Sequence, residues 1–225
     1  MLKRLRRLLP TLPRAVLNRL RPDKPFTGSG DYWESRYTAG GDSGDGSYRA
    51  LAAFKAEVLD AFVAKHGIRS VIEYGCGDGN QLRLAHYPQY LGFDVSQEAV
   101  ERCRARFMGD PTKSFALLSD YGGQHADLTL SLDVIYHLVE DDVFEAHMAL
   151  LFGSADRFVG IYSSNEEDEG DTPPHVRRRR FTDWVEANRP GWTLAEFLRN
   201  RYPYDGDTRT GSRSDFFFYE RVGAE

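Results

Sequence analysis

Val71-Ile72-Glu73-Tyr74-Gly75-Cys76-Gly77-Asp78-Gly79-Asn80 is the stretch whose reading decides the fold. A short apolar run ends on an acid, and glycines then alternate with other residues. The pattern predicts the end of a first buried strand, a tight turn and the start of a helix. Glycine tolerates positive φ and carries no Cβ, so a ligand can lie directly against such a turn. A helix starting there would add free N–H groups for an anionic or polar ligand. The spacing Glu73-x-Gly75-x-Gly77-x-Gly79 differs from the dinucleotide fingerprint, which has two residues between its last two glycines.

Upstream, Leu51, Phe54, Val58, Leu59, Phe62 and Val63 recur at helical spacing over residues 48–66. That stripe reads as core rather than as a site, and Gly67 as the helix stop. Downstream, residues 81–85 read as a short helical stretch and 90–94 as a second strand, with Asp94 at its carboxyl end. An acid in that position can accept two hydrogen bonds from ribose hydroxyls. The competing role is a helix cap, for which Ser96 is also available. Residues 96–107 are expected to be helical, 114–119 to form a third strand leading to Asp120 and Tyr121, and 127–133 a fourth. A helix over 140–152, a fifth strand over 157–163, a helix over 181–188 stopped by Pro190, and strands over 192–199 and 214–222 complete the pattern.

Residues 28–48 are rich in Gly, Asp and Ser yet hold Tyr32, Trp33 and Tyr37. The mixture is too polar for core and suits a lid, with hinges expected at Gly40, Gly41, Gly44 and Gly46.

The glycine spacing, with acids at the ends of the second and third strands, resembles the class I S-adenosylmethionine-dependent methyltransferases, whose first motif reads E/D-x-G-x-G-x-G. The resemblance runs from about Asp31 onward. It implies a Rossmann-like α/β fold: a seven-stranded, mostly parallel sheet with a C-terminal antiparallel hairpin and helices on both faces. It implies S-adenosyl-L-methionine as cofactor, held by Glu73, Gly75, Cys76, Gly77, Gly79, Asp94, Val95, Asp120, Tyr121 and Leu132, with Asp120 accepting from the adenine amine. Cys76 is expected to act by its small size and not as a nucleophile. The lid pattern W-E-x-R-Y followed by S-G-x-G-S is similar to a subset of bacterial sugar O-methyltransferases of polysaccharide loci, those of methylmannose polysaccharide synthesis included. From that resemblance Trp33 and Arg36 join the cofactor set, Arg36 pairing with the methionine carboxylate. An ordinary surface ion pair is the other reading of Arg36.

Ligands of an open α/β sheet bind outside the carboxyl ends of its strands, so Asp133, Tyr136 and His137 are expected near the methyl group to be transferred. An alcohol acceptor must lose its proton, a task suited to His at neutral pH. His137 is the leading candidate base, and Asp133 is its rival or its orienting partner. A structural histidine is the alternative. The polar loop beyond residue 163 leaves the fifth strand at the same end, so Asn165 and His175 are expected at the acceptor, His175 as a second candidate base. Tyr37, Tyr136 and Arg177 complete the acceptor set. The four consecutive arginines 177–180 otherwise pair with the acidic loop or face solvent. Glu140, Asp141 and Asp142 suit a helix N-terminus without a metal. A divalent ion such as Mg2+ beside Asp133 is the less favoured alternative.

The 225 residues fit one domain, read as a basic arm over 1–27 and a methyltransferase-like domain over 28–225. Residues 1–22 carry +7 and the remainder −12. Leu2, Leu5, Leu9 and Leu12 give the arm an apolar side, while Pro10 and Pro13 break it. It is expected to contact an anionic membrane face or an acidic partner, or simply to pack or fray. A net charge of −5 argues against a nucleic-acid partner. Two cysteines imply no disulfide framework and point to the cytoplasm. The acceptor that fits best is a small sugar or oligosaccharide hydroxyl in polysaccharide synthesis. A lipid or natural-product acceptor, or a cofactor-binding module without catalysis, are the alternatives.

Overall fold

The computed structural model, which describes residues 26–168, 170 and 172–223, builds one seven-stranded sheet. Its strands are β1 (Val71–Tyr74), β2 (Tyr90–Asp94), β3 (Lys113–Leu117), β4 (Ala126–Leu132), β5 (Ala155–Ser163), β6 (Trp192–Leu198) and β7 (Asp215–Arg221). The helices are α1 (Ser29–Thr38), α2 (Arg49–His66), α3 (Gln97–Arg106), α4 (Asp141–Gly153) and α5 (Phe181–Asn188). The strand order is β3-β2-β1-β4-β5-β7-β6. Strands β1 to β5 run parallel, and β7 lies antiparallel between β5 and β6. This is the Rossmann-like arrangement expected from the sequence. The basic arm lies outside the described residues.

The central strands are buried on both faces, as parallel strands are. On one face, Leu128, Leu130, Phe216 and Phe218 meet Phe54, Leu59 and Phe62 of α2 and Val100 and Cys103 of α3. On the other, Ile72, Tyr74, Phe217 and Tyr219 meet Phe144, Met148, Leu151 and Phe152 of α4 and Phe181 and Val185 of α5. Residues 216–219 thus alternate between the two cores with the period of a strand. Thr129 and Ser131 on β4 find partners in α4: Thr129 donates to the Leu151 carbonyl at 2.8 Å, and the Ser131 hydroxyl lies 2.9 Å from His147 Nε2.

One expected element is shorter than a helix proper: residues 81–85 hold only a 3₁₀ turn. The glycine loop is followed only by a single 3₁₀ turn, Leu82–Leu84, and not by a helix offering its N-terminus. Pro88 lies four residues beyond that turn and cannot extend it. The backbone N–H of His86 is taken by Asp60 of α2 at 2.7 Å. Leu82 and Tyr87, with Tyr87 stacked on Tyr90, fill the space beneath the crossover. Ser96 caps α3 by accepting from the Ala99 N–H at 3.2 Å, which leaves Asp94 free of that role.

The lid differs from expectation as well. Residues 29–38 are helical, and Tyr37 is only 2 % exposed, so part of this polar stretch is core. Gly46 is no hinge: a Cβ there would sit 2.7 Å from the Asp133 carboxylate. Gly41 packs as closely on Arg36.

Candidate active site

The sheet order reverses between β1 and β4, and a cavity of about 520 Å³ opens at the carboxyl ends of these strands. Its floor is the glycine loop, its roof α1, and its far wall the first turns of α4. Of the residues expected to hold a cofactor, Glu73, Gly75, Cys76, Gly77, Asp94, Val95, Leu132 and Trp33 line it. Gly79, Asp120, Tyr121 and Arg36 do not.

Each of these departures has a visible cause. A Cβ on Gly79 would strike Cys103 Sγ, so that glycine lets the loop pack on α3 and does not face the cavity. Asp120 is exposed, and Leu118 stands on the wall instead. Tyr121 packs its ring on Tyr74 and Phe93 behind the wall. Arg36 turns back on its own loop, donating to the Asp42 carbonyl at 2.6 Å and to the Asp42 carboxylate at 2.9 Å.

Asp94 accepts from the Gly77 N–H at 2.8 Å and from the Ser96 N–H at 2.9 Å, which ties β2 to the glycine loop. Glu73 accepts from the Tyr90 hydroxyl at 2.7 Å. Burial pushes Glu73 up to about 7 and Asp94 up to about 6. Gly77 sits at φ 58 under the lid, where a Cβ would strike Ser43 Oγ and the Tyr37 hydroxyl. Ser43 and Tyr37 share a hydrogen bond at 3.0 Å, and the Asp78 N–H donates to Ser43 Oγ at 2.9 Å. Lid and glycine loop therefore close on each other.

His137 faces the cavity. Its Nδ1 lies 3.0 Å from the His175 carbonyl, which can only accept, so Nδ1 carries the hydrogen and Nε2 is left as the basic nitrogen. Burial lowers its pKa to about 4, outweighing the hydrogen bond to the His175 carbonyl and the Asp133 charge, which raise it, so the ring is neutral at pH 7. Trp33 meets it edge-on at 4.9 Å. Asp133 neither rivals nor orients it. At φ 58, the Asp133 carboxylate takes Lys55 Nζ at 2.6 Å, the Tyr136 hydroxyl at 3.0 Å and Ser214 Oγ at 3.1 Å. Tyr136 is thereby spent as well.

The remaining acceptor candidates divide. Tyr37 lines the cavity, whereas Asn165, His175 and Arg177 do not. Asn165 accepts from Thr182 in the first turn of α5. His175 stacks on Tyr32 at 4.3 Å and serves His137 through its carbonyl, so it is no second base. Arg177 donates to the Val139 carbonyl and pairs with Asp141; Arg179 does the same, and among the described residues Arg178 is the one of the four that pairs with the acidic loop, at Glu166. Glu140 receives Ser29 and Asp141 the two arginines, whereas Asp142 accepts from the Val143 N–H at the cavity edge. Among the described residues no group of three or more His, Cys, Asp or Glu is gathered as a metal site.

Lys55 and Gln81 line the cavity and were not expected there. Lys55 is 1 % exposed and lies on α2 at i+4 from Leu51 and i−4 from Leu59. A lysine in the middle of an apolar stripe is the signal that points to it.

No protein-family model matches the sequence, and no curated protein is significantly similar to it. Solved structures are similar in fold. The N-methyltransferase NodS from Bradyrhizobium japonicum WM9, in complex with S-adenosyl-L-homocysteine, superposes with a TM-score of 0.65 at 14% identity, covering 86% of this chain and 98% of that one. Magnesium protoporphyrin IX methyltransferase ChlM from Synechocystis PCC 6803, with bound SAM, gives 0.61 at 15%, covering 88% and 100%. The methyltransferase domain of bacterial CtHen1-C gives 0.59 at 21%, covering 76% and 98%. The chain has the Rossmann-like fold of these methyltransferase structures.

Proposed function

We propose that the protein binds S-adenosylmethionine in this cavity and methylates a hydroxyl, with His137 as general base. The observation that carries the reading is the paired setting of Glu73 and Asp94 on either side of a loop whose Gly77 leaves no room for a side chain. The residues suit the group. Asp94 keeps lone pairs for ribose hydroxyls after its two backbone bonds, and Val95, Leu118, Val143 and Ala146 offer an apolar slot for a base. The cavity holds more carboxylates than cations, which favours a positively charged sulfonium ligand.

Bound there, the cofactor supplies an electrophilic methyl group. The protein's part is to hold the acceptor, exclude water and take one proton. α1 closes the roof. His137 Nε2 accepts the hydroxyl proton, and its weak basicity suffices because the attacking oxygen becomes far more acidic as it gains positive charge. The first acceptors to test are sugars and oligosaccharides, which would set the enzyme in polysaccharide synthesis. The apolar wall of Leu138, Val143 and Leu150 favours a second reading, a lipid or natural-product hydroxyl.

Release of S-adenosylhomocysteine across a panel of sugars, lipids and phenols tests both. Turnover on sugars supports the first reading and turnover on lipids or phenols alone the second. Cofactor binding without turnover on any hydroxyl defeats both in favour of a non-catalytic module.

A further inference from the structure

We infer that Lys55 and Gln81, and not Arg36, hold the amino-acid end of the cofactor, the ammonium of Lys55 facing its carboxylate and the amide oxygen of Gln81 its α-ammonium. The inference rests on the cofactor reading above.

Gln81 is 6 % exposed and lines the cavity, and its Oε1 is buried with no partner. The two ends of its amide are distinguished by chemistry. The nitrogen lies 3.0 Å from the Ala52 carbonyl, which can only accept, so the NH2 is on that side and the oxygen is the end left over. A buried acceptor without a donor is costly until a ligand supplies one.

Lys55 stands three residues after Ala52, on the same face of α2. Its ammonium has three N–H groups and one hydrogen-bond partner among the described residues, Asp133, at 2.6 Å. It is also the cation that lines the cavity, which Arg36 does not. An α-amino acid presents an anion and a cation on adjacent carbons, so its subsite needs a donor and an acceptor side by side. One turn of α2 supplies the donor and anchors the acceptor.

The missing helix makes these side chains necessary. A three-residue 3₁₀ turn follows the glycine loop, so the loop does not lead into a helix N-terminus that could receive a carboxylate. Arg36 is committed to Asp42. The glycine loop also spends donors on the end of β2: the Gly75 and Cys76 N–H groups go to the Phe93 carbonyl and that of Gly77 to Asp94.

The test compares two ligands by calorimetry on the full chain. S-adenosylhomocysteine carries the amino-acid end; methylthioadenosine keeps the nucleoside and thioether but lacks it. The wild type should bind the first more tightly. Gln81→Leu should weaken S-adenosylhomocysteine roughly tenfold or more while methylthioadenosine stays within about twofold. Lys55→Met alone leaves Asp133 as an unpaired buried charge and risks misfolding. The double variant Lys55→Met/Asp133→Asn removes both charges and should show the same selective loss. Arg36→Ala should leave both affinities unchanged. The proposal is overturned by equal weakening of the two ligands, by unchanged S-adenosylhomocysteine affinity in Gln81→Leu, or by a selective loss in Arg36→Ala. Equal wild-type affinity for the two ligands removes the subsite but leaves the cofactor reading standing, whereas no binding of either removes that reading.

Discussion

At His137 two neighbours fix what the ring can do: the His175 carbonyl sets the tautomer, and burial sets the charge. Replacing His137 with Ala should lower kcat by roughly 10²–10⁴, with S-adenosylhomocysteine affinity intact by calorimetry. A matched loss of affinity would make the ring a binding group instead. Because the pKa is lowered to about 4, kcat at saturating cofactor should stay level from pH 8 to pH 5 and fall only as pH approaches about 4; a limb near the ordinary 6.5 would contradict the buried, neutral ring. Cofactor affinity should behave differently. Asp94 and Glu73 take up protons at about 6 and about 7, and a protonated carboxyl is a poorer acceptor, so affinity should decline as pH drops from 8 to 5. The places of Glu73, Gly77 and Asp94 at the cavity were readable from sequence because they are local to two strand ends and one turn. Lys55 was not, because a helical stripe read for its apolar members passes over the one charge inside it. Arg36 misled because a guanidinium next to a flexible loop has more than one carboxylate within reach.

Helix α1 is held at both ends by side chains from elsewhere. Ser29 is bound to Glu140 before α4, and Arg102 of α3 donates to the Tyr37 carbonyl at 2.6 Å and the Gly41 carbonyl at 2.7 Å. These bonds fasten a lid whose own sequence is polar and glycine-rich. Arg102→Ala should free its carboxyl end, raising hydrogen exchange over residues 29–41 roughly tenfold. It should raise the KM for the acceptor more than it lowers kcat. Exchange unchanged in that segment would mean that the Tyr37 ring, and not Arg102, keeps the lid down. The sequence revealed a lid by composition but not its helix, since the pinning partners lie 61 to 111 residues away. For the same reason the sequence showed a short helical stretch after the glycine loop but not that it stops at a single 3₁₀ turn. The length of the crossover allowed a helix and a return strand, and only the tertiary bond between His86 and Asp60 and the packing of Tyr87 show why no full helix forms.

Across the whole molecule the buried titratable groups pull stability in opposite directions. His137 and His147 are both lowered from 6.5 to about 4, so the stability that they contribute is present above 6.5 and lost as pH falls toward 4. Glu73 and Asp94 are raised, so their contribution is present below their unfolded values of 4.5 and 3.8 and is lost as pH rises through about 7 and about 6. The two trends offset, and urea unfolding of the ligand-free protein should give a nearly level midpoint between pH 4.5 and 6.5. Glu73→Gln removes one of the opposing groups, and its midpoint should climb with pH over that window. A level response in the variant would refute the balance. Much of the sheet was legible because the apolar runs of β1, β2 and β4 close on Glu73, Asp94 and Asp133, and the last two strands alternate with period two.

The position of β7 sets the order in which the protein can be assembled. It follows β6 in the chain yet lies between β5 and β6, and the residue before it, Ser214, bonds Asp133. During synthesis β6 emerges with no neighbour to join, and a ribosome that has made residues up to β6 carries five paired strands and one waiting. The cavity gains its last tie to Asp133 only when the final strand slides into the gap. A partly made chain therefore holds an unfinished site, and competence to bind should appear in one late step rather than accumulate.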